Sequence, residues 1–268
     1  MKRRTRWAVA AAGTVLLTVA GGGAALAADR GHERPKPTVV LVHGALEDAS
    51  AWHDVISRLQ RDGYPVVAPA VPLRGLKTDS EYLASVVDSI DGPVVLAGHS
   101  YGGMLINEVG ATDPDVKALV YVAAFIPRAG ESAGQLNAQF PGSLLGPDTT
   151  FTRTTPDGVT DLYVKPQSFR AVFAGGTPAG EAAVAAASQR PINAAAFDDK
   201  AVRTAPSSIR SYALVATEDR AIPPAAERFM AKRAGATTVE VRSAHNVPVA
   251  HPGTVADLLE KAADSTRR

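Results

Sequence analysis

Val94-Val95-Leu96-Ala97-Gly98-His99-Ser100-Tyr101-Gly102-Gly103-Met104 decides how the rest of this 268-residue chain is read. Four apolar residues run straight into a glycine, a serine sits two residues on, and an apolar stretch to Val109 follows. The pattern predicts a buried strand, a sharp turn and a helix, which lifts the serine hydroxyl above the carboxyl edge of a sheet. Glycines flank the serine because a side chain there clashes with the neighbouring backbone of so tight a turn. Gly130-Glu131-Ser132-Ala133-Gly134 repeats the Gly-x-Ser-x-Gly spacing. It lacks the context, since Pro127 and Arg128 separate it from the preceding apolar run, and Ser132 reads as an ordinary loop residue.

Outward from the turn, short β-branched or apolar runs alternate with amphipathic ones. Strands are predicted at Thr38–Val42, Pro65–Ala68, Val94–Ala97, Val116–Phe125, Tyr212–Ala216 and Thr238–Val241. Helices are predicted from a Ser50 cap to about Gly63, from Asp79 or Ser80 to Ile90, from Met104 to Val109, from Pro223 to Ala234 and from Pro252 to Ala263. This rhythm gives an α/β fold: a mostly parallel central sheet of about six strands with helices on both faces. It breaks at approximately 126–205, a Gly-, Pro- and Ala-rich stretch with a hairpin turn at Thr155-Pro156-Asp157-Gly158 and a helical Gly180–Ser188. That stretch reads as a cap inserted into a domain spanning 38–268.

A serine nucleophile needs a base, and the base an orienting carboxylate. Of six histidines, His32 precedes the domain, His53 lies on an early helix, and His43 and His99 read as supports of their own turns. His245 and His251 follow the last strand. His245, within a few residues of the strand end, is the better placed base, whereas His251 directly precedes Pro252 at a helix start. The acid is expected after the penultimate strand, in Thr217-Glu218-Asp219-Arg220. Asp219 is the first choice and Glu218 the fallback; neighbours on an extended segment point opposite ways, so at most one of them faces the histidine. The oxyanion donors are expected from the backbone N–H groups of Tyr101 and Ala45, the latter after a glycine that allows close approach.

With these residues placed, the chain resembles an α/β-hydrolase over nearly all of residues 38–268. Val40-Leu41-Val42-His43-Gly44-Ala45, the Ser100 turn, Asp219-x-x-Ile222-Pro223 and His245 stand in the family's order. His43-Gly44-Ala45 with Trp52, Leu59, Gly63, Val66 and Pro69 is similar to the compact branch of plant methylesterases and hydroxynitrile lyases. The branch implies a small cap over the pocket. Ser100 departs from relatives with an aspartate nucleophile. Gly44 and Asn246 stand where the lyases carry threonine and lysine, so lyase chemistry is not expected.

The resulting expectation is a serine esterase for small to medium apolar esters, acting through an acyl-enzyme without metal or cofactor. Five of seven phenylalanines (Phe140, Phe151, Phe169, Phe173 and Phe197) fall in the cap, either as its own core or as pocket lining. A non-catalytic ligand-binding protein, an amide or C–C bond hydrolase, and a cofactor-free perhydrolase or haloperoxidase are the alternatives. If His245 is the base, the rate rises with pH through one group near the ordinary imidazole value of about 6.5.

Composition sets the remaining bounds. The chain has no cysteine, which excludes disulfide stapling, thiol catalysis and Cys-ligated zinc. Lys2, Arg3, Arg4 and Arg6 precede an uncharged run to Ala28 containing Ala25-Leu26-Ala27, the pattern of a cleaved signal peptide over 1–27. Residues 28–37 read as a flexible leader. The expectation is therefore a secreted or extracytoplasmic protein with no stable membrane association after cleavage. Beyond residue 27 the chain carries 24 basic and 27 acidic residues, which offers no footprint for nucleic acid. The expected partner is a small-molecule ester; the oligomeric state is not legible in the sequence.

Overall fold

The structure, a computed structural model, describes residues 35–267; the expected signal peptide and most of the leader lie outside the described residues. In chain order the elements are β1 (Thr38–Val42), α1 (His53–Arg61), β2 (Val66–Val67), α2 (Leu76–Val87), β3 (Val94–Ser100), α3 (Gly102–Gly110) and β4 (Val116–Ala124). The inserted stretch holds α4 (Ala133–Ala138), β5 (Thr150–Thr154), β6 (Thr160–Val164), α5 (Pro166–Val172), α6 (Ala179–Ser188) and β7 (Ile192–Asn193). The rhythm then resumes with β8 (Arg210–Ala216), α7 (Pro224–Arg233), β9 (Thr237–Val241), α8 (Val247–Ala250) and α9 (Pro252–Ser265).

Six strands form one parallel sheet in the order β2-β1-β3-β4-β8-β9. Alternate side chains serve opposite faces, as the strand period demands. Val40, Val42, Val94 and Leu96 join the core under α2, α3 and the inserted stretch. Val39, Leu41, Val95 and Ala97 join Trp52, Leu59, Val255 and Leu259 of the α1 and α9 face. Burial on both faces explains why these strands read as unbroken apolar runs. Because every strand runs the same way, the loops after β1, β3, β8 and β9 emerge at one edge, where α/β sheets bind ligands.

The inserted stretch carries its own antiparallel sheet, β5-β6-β7. Its hairpin turns at the expected place, with Gly158 at φ +85° and its N–H donating to Thr155 O at 2.9 Å. Ser132, the serine of the second Gly-x-Ser-x-Gly, is more than a loop residue: it caps α4 through a capping box with Gln135.

Two helix starts differ from the sequence expectation. Asp48, not Ser50, accepts the capping N–H, and a 3-10 turn at Ala49–Trp52 precedes α1. Helix α2 begins at Leu76 rather than at Asp79 or Ser80. Asp79 turns back into the first turn and accepts from Arg74 N and Gly75 N at 3.0 and 3.3 Å. Asp199, from the inserted stretch, accepts from Leu76 N at 2.8 Å. A cap supplied from so far along the chain leaves no local signature.

Candidate active site

Ser100 ends β3 with φ +53°, a strained conformation for a residue with a Cβ. The surroundings hold it there. A Cβ on Gly98 would lie 2.5 Å from Gly102 O, and one on Gly102 would lie 2.6 Å from Val42 O. Across the sheet, β4 answers with a register shift opposite the His99–Ser100 step and with Ala123 at φ +43°. Phe125 N then donates to Ser100 O at 3.2 Å.

The structure brings Ser100, His245 and Asp219 into one chain of hydrogen bonds. Ser100 Oγ lies 2.8 Å from His245 Nε2, and His245 Nδ1 lies 2.5 Å from Asp219 Oδ2. All three are buried. Asp219 Oδ1 accepts from Ala221 N and Ile222 N at 2.6 and 2.8 Å, which fixes the carboxylate's rotation. With Nδ1–H directed at the carboxylate, Nε2 is free to accept the serine proton. Glu218 faces outward and pairs with the exposed Arg242 at 2.6 Å. His53 is exposed, and His251 stands at the start of α9 without a side-chain capping bond.

The loop after β1 closes over the serine. A Cβ on Gly44 would sit 2.6 Å from the Ser100 Cβ, so only glycine allows this approach. Among the described residues, neither Ala45 N nor Tyr101 N donates a hydrogen bond, although both residues are buried beside Ser100. Two unused N–H groups next to the Ser100 hydroxyl are of the kind that can stabilise an oxyanion. His43 fixes the loop from below: Nδ1–H donates to Gly44 O at 2.8 Å and Nε2 accepts from Val71 N at 3.0 Å. That pattern requires the neutral ring, and burial holds His43 below its ordinary pKa. The Tyr101 hydroxyl donates to Asp79 Oδ2 at 3.1 Å.

Sequence reasoning missed Glu47. Its Oε1 accepts from Gly44 N at 2.9 Å and also meets His99 Nδ1 in a short contact. His99 Nε2 in turn donates to the backbone carbonyl of His245 at 2.9 Å. Both ring nitrogens of His99 therefore act as donors, the pattern of an imidazolium. Burial is the largest single influence and opposes that charge, but Glu47, the His245 carbonyl and Asp219 together outweigh it and place the His99 pKa above its ordinary value. Burial likewise acts to raise Glu47, and the pull of His99 and Gly44 N–H leaves it lowered. An acid two residues past Ala45 was the only local hint.

The cap touches both loops. Leu46 N donates to Arg190 O at 2.9 Å, and Asn246 N to Phe173 O at 3.1 Å. The Phe173 ring stands edge-on to His245 with centroids 4.8 Å apart and stacks on Phe169 at 5.2 Å. A cavity of about 160 Å³ lies along these rings, lined by Leu46, Phe169, Phe173 and Asn246. A larger one of about 740 Å³, lined by Phe140, Leu145, Phe151, Leu162 and Phe197, is built from the cap; Ser100, Asp219 and His245 line neither of the two cavities. The cap phenylalanines thus divide between the two cavities. Among the described residues no group of three or more His, Cys, Asp or Glu is placed to hold a metal ion, and no helix is long and apolar enough to cross a membrane.

Comparison with known proteins bears on this geometry. Residues 39–258 match a family model described as the alpha/beta hydrolase family. The chain is 34% identical over 106 residues to a carbendazim hydrolyzing esterase of Nocardioides sp. (strain SG-4G), covering 35% of this chain and 44% of that protein. It is 32% identical over 127 residues to methylesterase 2 of Arabidopsis thaliana, covering 42% of this chain and 48% of that one. Each match spans about half the length of the relative. Among solved structures, polyneuridine aldehyde esterase superposes with a TM-score of 0.72 at 23% identity, covering 85% of this chain and 99% of that one, a likeness of fold.

Proposed function

The chain belongs to the alpha/beta hydrolase family, and on that premise we propose that it is a serine-dependent carboxylic ester hydrolase. The observation that carries the reading is the unbroken Ser100–His245–Asp219 hydrogen-bond chain beside two unused backbone N–H groups. Ser100 Oγ attacks the ester carbonyl while His245 Nε2 takes its proton. The carbonyl oxygen becomes an oxyanion that accepts from Ala45 N and Tyr101 N. His245 then returns the proton to the leaving alkoxide, which departs as the alcohol and leaves an acyl group on Ser100. Water, activated by the same imidazole, attacks the acyl carbonyl and releases the acid. Asp219 keeps the imidazole in its Nδ1–H tautomer and stabilises the imidazolium that forms twice per cycle.

The proposed substrates are small to medium apolar esters. Phe173 stands edge-on to the His245 ring and stacks on Phe169, an apolar surface beside the base that suits an apolar acyl or alcohol portion. The names of the two relatives, an esterase and a methylesterase, support ester cleavage. The basic n-region and the apolar run of residues 1–27 support export to the cell exterior.

The experiment is hydrolysis of a p-nitrophenyl ester series, from acetate to long-chain acyl groups and including a charged acyl group, by the wild type and Ser100→Ala. The proposal expects turnover that prefers short and medium apolar acyl groups and vanishes in the folded variant. Fastest turnover on the charged ester contradicts the substrate class. Equal rates in both proteins contradict the mechanism.

A further inference from the structure

Glu227, on α7, is a buried acid that the mechanism above does not use; it is 3% exposed, beside Asp219 at 2%. Its Oε2 accepts from Ala216 N at 3.1 Å, whereas Oε1 is shut away from solvent without a hydrogen-bond partner of good geometry. No lysine or arginine bonds either carboxyl among the described residues. Arg228, next along α7, turns to the surface and holds Glu240 of β9 through two bonds of 2.8 and 2.7 Å.

Two carboxyls sharing one buried space do not both ionise. The donors decide where the charge sits. Asp219 receives three N–H groups, from Ala221, Ile222 and the His245 ring, and Glu227 receives one. The charge therefore belongs to Asp219 and the proton to Glu227. Protonation makes Glu227, whose Oε1 is otherwise without a partner, a donor, and the neighbouring carboxylate able to accept is that of Asp219.

We propose that Glu227 is a positioning residue for the reaction, a neutral carboxylic acid that donates to Asp219 and so sets how strongly Asp219 draws on the His245 imidazole. The inference rests on the Ser100–His245–Asp219 reading of the site. Burial, reinforced by the charge of Asp219, holds the Glu227 carboxyl well above the usual range; the Ala216 N–H and Arg228 pull the other way. A hydrogen bond into Asp219 spreads its charge and moderates its pull on the imidazolium. Without that donor the imidazolium is held more tightly, and the base loses its proton at a higher pH. The other charged group facing the His245 ring, the His99–Glu47 pair with the His99 centroid 4.7 Å away, is common to the wild type and the variants compared.

The test uses the full chain and reads the pH midpoint of kcat/KM on a p-nitrophenyl ester. A second readout is the infrared band of neutral carboxylic acids at pH 7 in the Ser100→Ala background. Glu227→Leu keeps the bulk and removes the donor. It is expected to raise the midpoint by about half a unit, which lowers kcat/KM about threefold at pH values well below it. Glu227→Gln, whose amide still donates, is expected to restore the wild-type midpoint and to abolish a neutral-acid band. An unmoved midpoint in the Leu variant, or the same shift in both, overturns the proposal. If the Leu variant does not fold, absence of a Glu227-dependent band overturns it alone. Full turnover by Ser100→Ala is the separate failure of the triad reading, and it removes the catalytic sense of this inference even where the band is present.

Discussion

His99, immediately before the serine, donates from Nε2 to the backbone carbonyl of His245 at 2.9 Å. The residue that shapes the serine turn thus also holds the loop carrying His245. Glu47 completes the connection, since the carboxylate that meets His99 also accepts from Gly44 N in the loop over the serine. Three loops from β1, β3 and β9 are tied together through one buried ion pair.

Glu47→Gln is predicted to reduce stability by about 3 kcal/mol, because it leaves the buried His99 imidazolium without its counter-charge, and to lower kcat about tenfold through loop displacement. The stability difference depends on pH with a definite sign. Glu47 has a lowered pKa, so its contribution is present above the ordinary carboxylate range and is lost as pH falls through the lowered value. His99 has a raised pKa, so its contribution is full below the ordinary imidazole value and is lost as pH rises through the raised one. Thermal melts of the two proteins across pH check this: the gap in Tm is greatest between those limits and narrows on both sides. A gap independent of pH contradicts the ion pair.

Gly44→Ala places a Cβ 2.6 Å from that of Ser100, so the loop must retreat and take the Ala45 N–H with it. Loss of one oxyanion donor predicts a fall in kcat of about 100-fold, with KM changed much less. Steady-state kinetics on a short-chain ester distinguish this from a packing defect, which would change both parameters without that bias.

Asp219→Asn is predicted to lower kcat by about 10³- to 10⁴-fold, because the amide favours the wrong imidazole tautomer. Glu218→Gln is predicted to leave both turnover and the urea-melt midpoint unchanged, as expected for an exposed, solvent-screened ion pair. Side-by-side kinetics and urea melts check the assignment of the acid. A large loss in the Glu218 variant reverses it.

Ser132→Ala removes the cap of α4 and is predicted to cost about 1 kcal/mol in a denaturant melt, with turnover retained. The two Gly-x-Ser-x-Gly segments then separate cleanly, one by activity and one by stability.

The parts of the site legible in the sequence were those in which a functional residue follows its strand within a few positions. Ser100 after Val94–Ala97, Asp219 after Tyr212–Ala216 and His245 after Thr238–Val241 each carry their context beside them. Parallel strands then deliver all three to one sheet edge. The rest depended on pairs far apart along the chain. Glu47 and His99 are 52 residues apart, and Asp199 caps α2 from 123 residues beyond Leu76. Ala123, whose positive φ accompanies the register shift opposite Ser100, is an alanine in an apolar run with no distinguishing mark. Ser132 reads as a loop residue in the sequence because its helix is only six residues long and lies in a stretch without periodicity.

Covalent trapping tests the central claim most directly. The wild type and Ser100→Ala are treated with a p-nitrophenyl phosphonate, then followed by residual esterase activity and by mass spectrometry of the digested chain. The account predicts one adduct per chain on the peptide containing Ser100, activity lost in proportion to labelling, and no adduct in the variant. Full turnover by fully labelled protein, or inactivation that tracks a label on the Ser132 peptide, would contradict it.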